Sequence, residues 1–212
     1  MFDVEVHNAT NPVARLILAH GAGAGKEHEF MQTVAQALNA HSIEVVLFNF
    51  PYMQVINETG KRRPPDKVEK LLAHFSDVVA HVSQTCESLP TFIGGKSMGG
   101  RMATMLVDDV ESVKGAAVLG YPFHPPGKPE KTRTDHLEAI AKPVLIVQGE
   151  RDTFGTRREV EAYALSSSIR CEFLVDGDHS LKPRKASGKT HQEHIEHAST
   201  LIEAFIKNTI QR

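Results

Sequence analysis

The stretch TFIGGKSMGG, residues 91–100, sets a single serine between two pairs of glycines. Thr91-Phe92-Ile93 has strand-forming character, and a helical apolar period (Met102, Met105, Leu106) follows. Glycine is costly inside an ordinary helix or strand, because it loses more backbone freedom on folding than any other residue. Something at Ser97 therefore requires a permissive backbone. Three readings compete: a phosphate loop, close packing of a strand against a helix, and a reactive turn.

A phosphate loop needs G-x-x-x-x-G-K-[ST]. Gly95-Lys96-Ser97 supplies its last three positions, but the leading glycine would fall on Pro90. The other glycine cluster, His20-Gly21-Ala22-Gly23-Ala24-Gly25-Lys26, continues into Glu27 and fits neither this pattern nor G-x-G-x-x-G. Packing alone stays open for an isolated glycine motif. Gly95-Lys96-Ser97-Met98-Gly99 does match G-x-S-x-G, and it has the strand before and helix after that a nucleophile elbow requires. In such an elbow the serine sits on a strained turn, its hydroxyl projects above a sheet, and the next amide points at an oxyanion.

The flanking sequence alternates between strand-like and helix-like periods. Residues 2–7, 15–20, 43–50, 91–94, 115–120, 143–149 and 171–177 are short apolar or alternating runs bounded by Gly, Pro or polar residues. Continuous runs of this kind suit strands buried on both faces. Between residues 66 and 84 the apolar positions Val68, Leu71, Leu72, Phe75, Val78, Val79 and Val82 mark one helical face, and Phe30, Met31, Val34, Ala35 and Leu38 mark another. Ile195, Leu201, Ile202, Phe205 and Ile206 mark a C-terminal helix. The pattern predicts an α/β protein: one domain spanning residues 1–212, with a doubly wound, mostly parallel sheet of six to seven strands and helices on both faces. Residues 57–65 and 121–133 read as loops, and neither is long enough for a large lid.

Composition narrows the function. The 24 Lys+Arg against 26 Asp+Glu give a net charge of −2, which argues against electrostatically driven nucleic-acid binding. The two cysteines, Cys86 and Cys171, form no C-x-x-C pair, so neither a zinc site nor a disulfide framework is expected. The first residues lack a basic start and long apolar run, and no apolar run reaches the ~18 residues of a membrane span. The expectation is a soluble, cytoplasmic protein.

An elbow makes further demands in chain order: a second oxyanion donor before the serine, then an acid, then a histidine. The loop His20-Gly21-Ala22-Gly23 follows an apolar strand; Ala22 is the expected donor beside Met98, with Gly23 the next choice. Glu150 and Asp152 both follow the strand at 143–149. Asp152 is the better candidate, although it also suits a cap for a helix beginning near Thr156. His179, in DGDHS, follows the last strand and alone of 12 histidines has that position. The expected catalytic set is Ser97, Asp152 and His179, acting on a small-molecule substrate without metal or cofactor. Gly21, Gly23, Tyr121, Phe123 and His124 are expected to line the substrate pocket, with packing an equal role for Phe123. Lys26, Lys96 and Arg101 lie near these loops in sequence and suit either an anionic substrate or plain surface positions. His191, His194 and His197 are spaced by three and drift around a helix; they are read as a solvated first turn and not as a metal site.

LILAHGAGAG, FIGGKSMGGRMA, GYPFHPPGKPEKTR, VLIVQGERDTFG and DGDHSLK, within residues 16–182, resemble the α/β-hydrolase superfamily. The likeness is to small, lidless, dienelactone-hydrolase-like proteins and to the testis-expressed hydrolase-like group among them. The resemblance implies the α/β-hydrolase fold, with Ser97 as nucleophile, His179 as base and Asp152 as its partner. Dienelactone hydrolases proper carry a cysteine nucleophile, and with serine here their particular substrate does not follow from the resemblance. Members of the group also act as interaction subunits, which leaves a second reading: a non-catalytic interaction protein on a hydrolase scaffold.

Overall fold

The computed structural model describes residues 2–211. Seven strands, β1 (Val4–His7), β2 (Ala14–Ala19), β3 (Ile43–Phe48), β4 (Thr91–Lys96), β5 (Val113–Leu119), β6 (Val144–Gly149) and β7 (Ile169–Leu174), form one sheet in the order β1-β3-β2-β4-β5-β6-β7. All neighbours are parallel except β1, which runs antiparallel to β3 with Val4 opposite Phe48. This is the α/β-hydrolase fold, and no lid is inserted into it among the described residues.

Among the described residues six α-helices accompany the sheet: α1 (Glu29–Ala40), α2 (Pro51–Thr59), α3 (Val68–Thr85), α4 (Met98–Leu106), α5 (Arg157–Val160) and α6 (His191–Ile210). The two-residue period of the strands divides the core. Ile17, Val46, Phe48 and Ile93 face one way, where Phe75, Val78 and Val82 of α3 and Met102 of α4 cover them. Leu16, Leu18, Val45 and Phe92 face the other way, under Val34 and Leu38 of α1 and Ile195 and Ile202 of α6. Every residue of β2, β3 and β6 is buried, which is why those segments read as apolar runs, each interrupted by one polar residue (Arg15, Glu44 and Gln148). A fully buried side chain of this size contributes roughly 1.5–3 kcal/mol through the area it removes from water. Among the described residues no helix is long and apolar enough to cross a membrane.

Local chemistry sets the helix ends. The ring Nδ1 of His28 accepts from Phe30 N at 3.2 Å and caps α1. Thr190 and Glu193 form a reciprocal capping box on α6, with Glu193 N donating to Thr190 Oγ1 at 3.1 Å. Helix α2 departs from the sequence reading, which ran a strand up to Pro51 and opened a loop at residue 57. Pro51 instead occupies the first helical position, where its missing N–H costs nothing, and the helix stops at Gly60 in a left-handed conformation (φ 67°).

The topology places the site. From β2 the chain goes to β3 on one side, and the strand on the other side of β2 is β4. The loops leaving β2 and β4 therefore part at a switch point, where open α/β sheets form a crevice beyond their carboxyl ends.

Candidate active site

Ser97 links β4 to α4 with φ 52° and ψ −114°, a positive-φ conformation that residues with a side chain rarely adopt. The turn is closely packed. A Cβ at Gly95 would lie 2.5 Å from Gly99 C and 2.6 Å from Ala19 O, and one at Gly99 would lie 2.4 Å from Ala19 O. These obstacles are backbone atoms and cannot move aside, so the glycines let β2 and α4 close around the serine.

Ser97 Oγ lies 2.8 Å from His179 Nε2, and His179 Nδ1 lies 2.7 Å from Asp152 Oδ2. Three loops leaving β4, β6 and β7 thus bring together side chains up to 82 residues apart. Asp152 is fully buried, and its carboxylate also accepts from Gln148 Nε2 at 2.8 Å and from Phe154 N at 2.8 Å. A carboxylate can only accept here, so the proton between Asp152 and His179 sits on Nδ1 and leaves Nε2 free to accept from Ser97. Burial pulls the His179 pKa below its usual 6.5; the Asp152 hydrogen bond opposes this, and the Lys96 charge adds to it. The imidazole is therefore neutral at pH 7. Phe154 stacks on it, with ring centroids 4.1 Å apart.

The amide of Met98 is the first of α4, among the helix N–H groups that have no intrahelical acceptor. Among the described residues neither it nor the Ala22 amide donates to a protein acceptor. The loop carrying Ala22 is anchored from below. Fully buried His20 places Nδ1 2.7 Å from Gly21 O and accepts from Phe50 N through Nε2 at 3.0 Å. Tyr52 Oη donates to Ala22 O at 2.9 Å. Both contacts hold the loop by its carbonyls.

A cavity of about 330 Å³ opens on Ser97 and His179. Gly21, Ala22 and Gly23 line it, together with Phe30, Met31, Lys96 and Phe154. Tyr121, Phe123 and His124 do not line it, and their expected place in the pocket is corrected. Gly120, at φ 65°, turns the chain after β5 inward. The Gln148 side-chain amide then takes Tyr121 at both its N–H (2.7 Å) and its carbonyl (3.1 Å). Tyr121 and Phe123 pack edge-on at 4.7 Å, and Phe123 stacks on Tyr163. His124 is buried with Nδ1 2.9 Å from Pro125 O.

Of the three basic residues near the loops, Lys96 lines the cavity. Lys26 is held 3.0 Å from both Asp3 and Glu27, and Arg101 lies outside the cavity wall. Glu150 accepts from Asp176 N, and α5 is capped by Thr156, so Asp152 is occupied by neither of those jobs. His191 Nε2 and His194 Nδ1 lie 2.8 Å and 2.7 Å from the carbonyls of Ser180 and Leu181. They brace α6 against the His179 loop, which is a more ordered role than a solvated turn. Sequence reasoning placed Phe30 and Met31 in the core by their helical period. Their signal as cavity walls was position: the first turn of the helix after the Gly21–Gly23 loop. Phe154 stood two residues beyond Asp152, and Gln148 carried no signal beyond a polar residue inside an apolar strand.

The fold and this crevice place the protein among the α/β hydrolases in architecture. The chain belongs to a family described as an alpha/beta hydrolase domain, whose model matches residues 12–207. It is similar in structure to Est1E from Butyrivibrio proteoclasticus, solved with ferulic acid bound (15% identity, TM-score 0.72, covering 100% of this chain and 96% of that one). It is likewise similar to a dienelactone hydrolase from Anabaena variabilis (16%, TM-score 0.72, 97% and 90%). A serine hydrolase without a lid from Xanthomonas campestris also resembles it (17%, TM-score 0.69, 92% and 86%). At these identities the likeness is one of fold.

Proposed function

We propose that the protein is a serine hydrolase that cleaves a small ester-type substrate (a carboxylic ester, thioester or lactone) through an acyl-enzyme. The observation that carries this reading is the hydrogen-bonded chain Asp152–His179–Ser97, 2.7 Å and 2.8 Å long, at the mouth of an apolar-walled cavity. His179 Nε2 takes the Ser97 proton as Oγ bonds to the carbonyl carbon. The Met98 and Ala22 amides stabilise the oxyanion, and one such donor is typically worth ~10²–10³ in turnover. The tetrahedral intermediate collapses, and His179 returns the proton to the departing alcohol or thiol. Water then attacks the acyl-enzyme with His179 as base, and collapse releases the acid and restores Ser97. The Asp152 side chain holds the His179 Nδ1–H and stabilises the imidazolium. Ferulic acid bound to Est1E, and the esterases and dienelactone hydrolase of the same fold, support a carbonyl substrate of this kind.

The test is a panel of p-nitrophenyl esters of graded acyl length, with thioesters and lactones, run on wild type beside Ser97→Ala. The expected result is hydrolysis that declines as the acyl chain outgrows the cavity and that is lost in Ser97→Ala. Equal rates in the two proteins would refute the assignment. A wild type inert toward every substrate and toward a fluorophosphonate probe would favour the interaction-protein reading.

A further inference from the structure

Lys96 occupies the variable position of the elbow, between Gly95 and Ser97, and the chemistry above gives it no task. It is 9% exposed, its ammonium donates to the backbone carbonyl of His179, and it sits 5.6 Å from the centre of the Phe30 ring. None of the ion pairs among the described residues includes it, although burying an ammonium without a carboxylate is expensive. The contact crosses from β4 to the loop after β7 through a gap left by Gly120. A Cβ there would lie 2.6 Å from His179 O, 3.1 Å from Lys96 Nζ and 3.4 Å from His179 Nδ1. The ammonium, the histidine carbonyl and the imidazole nitrogen that faces Asp152 therefore converge on one point.

We propose that Lys96 is a positioning residue for His179: its ammonium clamps the histidine backbone to the nucleophile strand and sets a fixed positive charge beside the imidazole. The clamp rests on the serine-hydrolase reading for its purpose but not for its geometry. The titratable groups around the ammonium are Asp152 on the loop after β6, Asp178 and His179 on the loop after β7, and His28 across the cavity before α1. On the β5 side the Gly120 backbone lies against it, where a Cβ would be 3.1 Å from Lys96 Nζ. Burial lowers the Lys96 pKa to about 8, against the attraction of Asp152 and Asp178, so the clamp is charged at neutral pH and is released as pH rises through that value. The same charge helps keep His179 neutral.

Two measurements on wild type, Lys96→Met and Lys96→Gln test this. The first is the pH profile of kcat/KM. Wild type should show an alkaline limb near 8. Lys96→Met should lose that limb, move the acid limb to higher pH, and lower kcat on the order of 10- to 100-fold with little change in KM. Lys96→Gln keeps a hydrogen-bond donor without charge. It should recover part of kcat while its acid limb stays displaced, which a lysine that merely fills space would not produce. The second is the NMR titration of the His179 imidazole, assigned against His179→Gln, which needs no turnover; the His179 pKa should rise in both Lys96 variants. An unchanged His179 titration in both variants, or profiles that keep both limbs in place, would overturn the proposal. If the wild type hydrolyses nothing, the function fails and the titration still decides the clamp.

Discussion

Acid should loosen the loop that carries Ala22 by a mechanism with a definite sign. His20 is fully buried, with Nδ1 2.7 Å from Gly21 O, Nε2 accepting from Phe50 N, and the Phe50 ring 5.1 Å away. A second proton on this ring would remove the acceptor for Phe50 N and place a charge in the core. Burial accordingly lowers its pKa from 6.5 to about 4. Between those two values the unfolded chain binds the proton and the folded chain does not, so unfolding gains as pH falls. The contribution is fully present above 6.5 and lost on descent to about 4. At 1.36 kcal/mol per unit, the shift corresponds to roughly 3 kcal/mol, a large share of a domain's usual 5–15 kcal/mol. Urea unfolding of wild type and His20→Gln across that range isolates the effect. The variant is less stable at neutral pH, where it has lost both hydrogen bonds, and the gap between the two proteins should shrink by about 3 kcal/mol toward pH 4. His136, whose pKa burial also lowers to about 4, titrates in both proteins and cancels in the difference. A gap that stays constant with pH would mean that His20 does not titrate differently in the folded and unfolded chains.

Other substitutions separate activity from stability. Asp152→Asn offers His179 Nδ1 an amide that can donate, favouring the wrong tautomer; turnover should fall about 10⁴-fold at a nearly unchanged Tm, and a loss below tenfold would count against the Asp152 role. Gly120→Ala meets His179 O at 2.6 Å with φ at 65°, so esterase assays should show most activity lost while strain costs only about 1–2 kcal/mol in a urea melt. Glu44→Gln leaves the buried Arg15 guanidinium, now 2.5 Å from the Glu44 carboxylate, without its counter-charge. Unfolding free energy should drop by about 3–5 kcal/mol, with kcat per folded molecule unchanged because the pair lies at the far end of β2 and β3.

The strands were legible because burial on both faces writes them as short apolar runs, and α3 because its period of 3 and 4 persists for about four turns, from Val68 to Val82. The candidate site was legible for a related reason. Ala22, Ser97, Asp152 and His179 each stand just past a strand, and parallel strands put such positions on the same edge of the sheet. What lines the cavity beyond the Gly21–Gly23 loop was not legible. Tyr121 and Phe123 stand past a strand too, but a left-handed glycine and the Gln148 side chain turn them inward, and neither the turn direction nor a tertiary hydrogen bond has a periodic signature. Phe30 and Met31 serve core and cavity together, so their apolar period reported the first role and hid the second. Lys96 was unreadable because its partner is a backbone carbonyl 83 residues away, which any residue type supplies.

If Ser97 attacks the substrate carbonyl under His179 control, it should also be the residue that an acyl-mimicking phosphonate captures. Incubating the intact protein with a fluorophosphonate and mapping the adduct by peptide mass spectrometry should give one adduct, on the Ser97 peptide, absent from Ser97→Ala and formed much more slowly in His179→Gln. An adduct on another residue, or equal labelling of Ser97→Ala, would contradict it.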